Sequence, residues 1–545
     1  RLKKEKETFT LPGLTPRIKN LLIEGKEDAL FSKELATIRR DAPVAFKLPK
    51  EEWIDTLSQE KVLETLVRFE FRSLKERVKL LKDIYAGKEV PKSVLNKNTE
   101  TKTKSTNASQ EETLDRASTK ELQLLTWLLN ADKTNPKRED ILEVAQTETL
   151  KEAHTVLLDR VMSDRKLKPL FEKMEQPLMS VVDRMYVLGV CIDIPYLEVL
   201  QKEYQKEIDA LTKSIHKHAG REFNISSPKQ LGEILFVELG LAATGVKKTS
   251  TGAKSTNIDT LQKLKDAHPI IPEIMQYREL DKMLNTYIEA LPKMVREDGK
   301  IHSDFIQTGA ATGRFSSLDP NMQNIPVTLE EGKNIRRAFV ATPGKVFLAF
   351  DYSQIDLRVA AILSGDKNLQ AIFLENKDAH TSVAAQVFGV SVDNVTKEMR
   401  RAAKVINFGI VYGMGVSALK EGLGSDRKEA QTFYDAYKTS FKGLMGYLEQ
   451  VKTNARLKGY TETLYGRRRP MPLLKSALPF LRAQGERMAI NAPIQGTTAD
   501  TMRFAVVYVF RALEESGVLG KAELVLQIHA EIILEGEVLP GTNLP

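Results

Sequence analysis

A single cysteine, Cys191, stands in the 545 residues, so no intrachain disulfide is possible, and a reducing compartment suits the chain. No apolar run approaches the ~20 residues that a helical membrane span needs. The start, Arg1-Leu2-Lys3-Lys4, lacks both the apolar core of a signal peptide and an initiator methionine, so the chain is expected to begin inside a longer protein. No repeat at solenoid or propeller spacing is present. Apolar periodicity is missing from Lys97 to Asn107, a polar run that cannot bury enough area to order itself. Residues 86–118 are therefore read as a linker.

What is present is ordinary for a globular protein, 42% hydrophobic and 28% charged. The length suits about three or four domains. A net charge of +8 and a pI near 9.0 favour a polyanionic partner, although a merely solvated basic surface fits too. Helical patterning covers much of residues 1–85, returns at 119–172 with Leu122, Leu124, Leu125, Leu128 and Leu129 in register, and continues from Glu175 to His218. That last stretch is interrupted at Gly189 to Pro195. Lys247 to Thr256 is a polar, basic loop, either a surface turn or a backbone-gripping tip on a helical arm.

The run Val346-Phe347-Leu348-Ala349-Phe350 predicts a short buried strand whose end presents Asp351. A second run, Leu524 to Ile528, precedes His529-Ala530-Glu531, and Ile532-Ile533-Leu534 follows; two strands around a tight polar turn are expected. A carboxylate at a strand end can bind a hard cation, but one such aspartate is more often structural.

Residues 397–412 predict a helix stopped by Gly413. On it, Arg400, Lys404, Phe408 and Tyr412 recur every four residues, each step turning the face by only about 40°. Two cations at one end and two rings at the other suit a ligand with a phosphate tail and a flat base. A plain amphipathic helix is the competing reading.

Asp351-Tyr352-Ser353-Gln354-Ile355-Asp356-Leu357-Arg358 resembles motif A of family A DNA polymerases of the bacterial DNA polymerase I type. Arg400 to Gly413 resembles motif B, and Gln527-Ile528-His529-Ala530-Glu531 resembles motif C. Thr312-Gly313-Arg314-Phe315-Ser316-Ser317 with Asn321-Met322-Gln323-Asn324-Ile325-Pro326 looks like the segment contacting primer-template, and Asn491 to Gly496 like the helix along the nascent pair's minor groove. The resemblance covers roughly residues 173 to 545, with the motifs in order.

The resemblance implies an α/β multidomain protein with a right-hand polymerase fold, a palm of antiparallel sheet with helical fingers and thumb. It implies a thumb at 173–300, a palm at 301–360 and 485–545, and fingers at 361–484. Its implied activity is Mg²⁺-dependent, template-directed addition of deoxynucleotides (dNTP) to a primer, with two ions, by a monomer in the bacterial cytoplasm or nucleoid, with an organellar homologue as the alternative. Asp351 would hold both metals with the Tyr352 carbonyl, and Glu531 is the carboxylate beside the motif C position. Arg400, Lys404 and His380 would hold the triphosphate, with Lys404 placed to protonate pyrophosphate. Phe408 would pack on the sugar and Tyr412 near the templating position, with Gln354 and Asp356 also in the nucleotide site. Arg314, Asn321, Gln323, Arg487, Asn491, Gln495 and His529 would contact primer-template DNA, largely in the minor groove, which distinguishes base pairs poorly.

Two positions depart from the family pattern. Asp356 stands where the family has glutamate, which is expected to relax exclusion of the ribose 2′-OH. Ala530 stands where motif C carries a metal-binding aspartate, at an expected loss of orders of magnitude in rate. Glu531, in an extended strand, is expected to point to the opposite face, unless a turn re-aims it. The alternative is therefore a dead polymerase that binds primer-template and nucleotide without turnover. A single-subunit RNA polymerase fits less well, given Phe408.

Upstream, Glu27 to Arg39 resembles the end of a 5′-nuclease domain, so residues 1–85 are expected to be an inactive remnant. Residues 119–172 look like the back half of a 3′→5′ exonuclease domain. They carry neither an Asp-x-Glu strand nor a Tyr-x-x-x-Asp helix, so no proofreading is expected.

Overall fold

In a computed structural model, residues 116–241, 254–325 and 330–538 are described, together with Val62. The elements lie within one unit, residues 111–545. The nuclease-like segment at 1–85, nearly all of the linker and residues 247–253 of the basic loop fall outside the described residues.

The described part opens on three helices, α1 (Arg116–Leu129), α2 (Arg138–Ala145) and α3 (Leu150–Ser163). Arg116, Ala117 and Ser118 already belong to α1, so the expected linker ends short of 118: the leucines at helical spacing that follow extend the helix backwards. The three helices and the turns that follow them at 167–175 close a core around Trp127, Leu157 and Met174. No strand occurs among residues 116–175.

Next come α4 (Gln176–Leu188), β1 (Val190–Ile192) and α5 (Ile194–Ala219). Gly189, with φ +58°, ends α4, and Asp193 caps α5 by accepting from the Tyr196 N–H at 2.9 Å. The predicted interruption thus holds a strand three residues long. Helix α5 packs along α6 (Ile270–Met283), and Ile215, Leu231 and Ile274 fill a separate small core at the far end of this arm.

Short strands follow: β2 (Lys300–Ile301), β3 (Asp304–Ile306), β4 (Ser316–Leu318) and β5 (Phe339–Val340). Strands β2, β1 and β5 form one antiparallel sheet, and β3 pairs with β4. Strand β6 (Lys345–Asp351) leads into α7 (Ile355–Ser364). Helices α8 (Ala379–Phe388) and α9 (Lys397–Val411) pack side by side, and α10 (Arg427–Ser440) also packs on α8. After α11 (Lys442–Lys458) the hairpin β7 (Tyr460–Glu462) and β8 (Arg468–Pro470) precedes α12 (Pro479–Glu515), 37 residues long. Strands β9 (Ala522–Ile528) and β10 (Glu531–Glu537) complete a second antiparallel sheet in the order β6-β10-β9.

Sequence reading of β6 as a buried strand is corrected here. Leu348 is 40% and Phe350 58% exposed. Strands β6 and β9 are both edge strands that pair with β10, but β9 is packed by α4 and α12 and is buried along nearly its whole length. An apolar run marks a strand's propensity but not its place in a sheet.

Candidate nucleotide and nucleic-acid site

The second sheet and α9 bring most of the candidate residues together. Strand β6 ends at Asp351, and the turn 529–530, with His529 at φ +54°, closes the β9–β10 hairpin beside it. Glu531 is the direct partner of Asp351 in the antiparallel register. Directly opposed residues put their side chains on the same face, with Cβ atoms ~4.5–5.5 Å apart. This corrects the expectation that Glu531 points away: alternation along a strand does not carry through residues 529–530, which are turn. Ala530 is tied through its backbone, its carbonyl accepting from the Tyr352 N–H at 3.2 Å.

Among the described residues no group of three or more His, Cys, Asp or Glu is gathered for a metal. The carboxylates here are two, Asp351 and Glu531. Mg²⁺ in nucleotide sites is held by one or two carboxylates with substrate phosphates completing the octahedron, and that minimal donor set is met.

Beyond Asp351 the chain turns at Gln354, whose φ of +54° is unusual for a residue with a side chain. It brings Asp356 into the first turn of α7, buried. Three donors converge on the Asp356 carboxylate: the Tyr412 hydroxyl at 2.5 Å, the Thr498 hydroxyl at 2.7 Å and the Arg314 guanidinium at 3.6 Å. Burial, then the Asp356 charge, pushes the Tyr412 phenol well above its ordinary range. A cavity of about 170 Å³ opens here, lined among others by Arg314, Gln323, Asp356, Gln527, His529 and Ala530.

Helix α9 presents its four-residue repeat as a sequence of distinct contacts. Phe408 stacks on Tyr412, ring centroids 6.2 Å apart at 20°, and meets His380 at 5.6 Å. His380 is buried on α8, its Nδ1 3.2 Å from the Asn407 Nδ2. The amide donates, so Nδ1 accepts and Nε2 carries the ring proton. Burial, with the Arg400 and Lys404 charges adding to it, keeps His380 below the usual imidazole range despite Asp378. Arg400 and Lys404 are exposed at the other end of the face. Gly413, at φ +75°, stops the helix, and a Cβ there would meet the Arg487 backbone at 3.3 Å, so the end of α9 rests on α12.

On α12, Arg487, Asn491 and Gln495 follow one another at four-residue steps on one face. Arg487 is exposed and Asn491 Oδ1 is buried without a partner. Asn321, by contrast, turns its side-chain oxygen onto its own turn, accepting from the Gln323 N–H at 3.1 Å.

The model of DNA polymerase family A matches residues 194–538. The chain belongs to this family. It is 46% identical over 380 residues to a thermostable DNA polymerase I of Thermus thermophilus, covering 70% of this chain and 45% of that protein. It is 43% identical over 407 residues to DNA polymerase I of Streptococcus pneumoniae, covering 74% and 46%. The chain thus spans a little under half the length of these relatives. A solved structure, the POL domain of Pol1 from M. smegmatis in complex with DNA primer-template and dNTP, superposes with a TM-score of 0.71 at 35% identity, covering 77% of this chain and 75% of that one. The helical body with small antiparallel sheets is the family A polymerase fold.

In this family A chain, several participants were not read from the sequence. Asp378, Asn407 and Thr498 each bond a candidate residue. A buried ionic cluster also escaped: Glu175, Arg467, Asp500 and Arg503, all essentially without solvent contact. Arg467 donates to Asp500 at 2.7 Å and to Glu175; Arg503 donates to Glu175 and, at 2.7 Å, to the Gly313 carbonyl next to Arg314. Both guanidiniums lie over the Trp127 ring, at 4.5 and 5.0 Å from its centroid. Four charges that cancel, drawn from positions 175 to 503, leave no local sequence signal.

Proposed function

We propose that the chain carries out template-directed DNA synthesis, adding deoxynucleotides from dNTPs to the 3′ end of a primer. The observation that carries the reading is the Tyr412–Asp356 contact. It joins the aromatic end of the α9 face to the turn after Asp351, so a phosphate tail on Arg400 and Lys404 would bring its sugar to that contact. His380, neutral and with its Nε2 proton free to donate, would join the two cations on the triphosphate. Phe408 would bear on the sugar and Tyr412 on the templating side. Lys404 would hand a proton to the departing pyrophosphate.

Asp351 and Glu531 would hold two Mg²⁺, with the Tyr352 carbonyl as a further oxygen and Ala530 contributing no side-chain ligand. When bound, such ions supply charge stabilisation to an in-line phosphoryl transfer. Gln354, Arg314, Asn321, Gln323, Arg487, Asn491, Gln495 and His529 would line the primer-template, where phosphate contacts give affinity and salt sensitivity. The proposed arrangement is a thumb at 173–300, a palm at 301–360 and 485–545 and fingers at 361–484, in a monomer of the bacterial cytoplasm. Residues 119–172 act as a helical support without proofreading.

A second reading is favoured by one residue. Ala530 removes an oxygen ligand at the hairpin turn, and a polymerase fold that binds primer-template and dNTP without turnover follows if Glu531 does not replace it. Primer extension on a recessed template with Mg²⁺ and dNTPs, beside Ala530→Asp, decides. Extension by the parent supports synthesis. Extension by the variant alone supports the binding role, and extension by neither, with no primer-template binding, overturns both.

A further inference from the structure

Arg400 does not stand free at the end of the α9 face. Its Nε donates to Asp378 Oδ1 at 3.1 Å and its Nη2 to Oδ2 at 2.9 Å, the two-pronged geometry in which a guanidinium also takes a phosphate. Asp378 caps α8, its Oδ1 accepting from the Thr381 N–H at 2.7 Å and from the Thr381 hydroxyl at 2.6 Å. Its other oxygen is 3.4 Å from Gln354 Nε2, in the turn that carries Asp356. Gln354 Oε1 is buried and has no partner. One carboxylate therefore engages both a proposed triphosphate ligand and a proposed primer-template ligand.

Partial burial pushes the Asp378 carboxyl up, but the hydrogen bonds from Arg400 and Thr381 outweigh it and hold it well below the ordinary carboxylate range. The group is an anion at any working pH. Lys404, one turn further along the same face, makes no ion pair among the described residues. The pairing is thus specific to the outermost cation of the face.

We propose that Asp378 is a specificity-determining residue that occupies Arg400 as a stand-in anion until a triphosphate displaces it. This rests on the nucleotide-site reading given above. A singly charged carboxylate competes poorly with a doubly charged terminal phosphate and well with a less charged or shorter tail. The contact therefore discriminates by tail charge. A ligand that must first win a residue from an internal partner binds more weakly by the fraction of time that residue is free. For a partly exposed pair this is about two- to fivefold.

The test is equilibrium titration of dATP and of tripolyphosphate into the chain bound to primer-template, with Mg²⁺ held constant, for the parent, Asp378→Asn and Asp378→Ser. Both replacements keep a capping oxygen for α8, so folding is retained, and thermal melting verifies it. The expected result is Kd lower by about two- to fivefold for both ligands in both variants, with the larger gain for pyrophosphate run as a third ligand. Unchanged or weaker binding by the variants, with the parent binding normally, overturns the stand-in role and makes Asp378 an orienting residue, while the nucleotide-site reading stands. A parent that binds primer-template but neither dATP nor tripolyphosphate overturns both.

Discussion

Asp351 and Glu531 face each other as directly opposed residues of two antiparallel strands. Glu531, rather than Ala530, is thereby the second carboxylate on the face that Asp351 presents. Glu531→Gln is expected to abolish whatever extension the parent shows, by about 10²–10³-fold in kcat, the scale of several kcal/mol of charge stabilisation. In an Ala530→Asp background the same change should cost much less. Single-turnover primer extension with the four combinations measures the coupling; no loss from Glu531→Gln in an extending parent would exclude Glu531 from the site.

Asp356, one methylene shorter than a glutamate, is engaged by Tyr412, Thr498 and Arg314. The shorter side chain leaves more room where a 2′-OH would lie. Asp356→Glu is expected to raise the dATP over ATP preference in kcat/KM by about tenfold, equivalent to ~1.4 kcal/mol. An unchanged ratio would show that the Tyr412 contact alone sets the gate.

Arg503 is buried between Glu175, the Gly313 carbonyl and Trp127. Burial pulls its pKa down, to about 10, and the Glu175 charge opposes this, so the group stays charged at neutral pH. Arg503→Met leaves Glu175 with one guanidinium fewer in a water-free site. A loss of about 3–5 kcal/mol in unfolding free energy is expected, read from denaturant titration. The environment of Trp127, one of two tryptophans, reports the same event by fluorescence. A loss under about 1 kcal/mol would mean the cluster relaxes or hydrates.

His380 has a depressed pKa in the folded chain, chiefly through burial. The unfolded chain takes up a proton below about pH 6.5, where the folded His380 does not. Stability is therefore unaffected above that pH and falls as pH drops from 6.5 toward the folded value. His380→Gln should remove this part of the slope in denaturant midpoints taken between pH 7.5 and 5.5. An identical slope in the variant would place the titration elsewhere.

Several features were legible in the residues alone because they are local. The strand ending at Asp351, the turn at His529 and Ala530, and the stop of α9 at Gly413 each follow from short-range propensity or a glycine's positive φ. The one-face alignment of Arg400, Lys404, Phe408 and Tyr412 follows from helix geometry. The exposure of β6 did not, because the same apolar run serves an edge strand that helices cover, as they cover β9, or one left open. Nor did the standing of Asp378: its capping role is a local signal, but its bond to Arg400 depends on how α8 lies against α9.

The sequence by itself determined the family, the helix carrying Arg400 to Tyr412 and the strands on either side of His529, since motifs and periodicity are properties of neighbours along the chain. Only the tertiary structure decided that Glu531 lies opposite Asp351, that Tyr412 bonds Asp356, and that Glu175, Arg467, Asp500 and Arg503 share one buried site. Strand register and the pairing of distant charges depend on how the elements are brought together, and in a water-free interior the position of each partner decides whether a charge is supported.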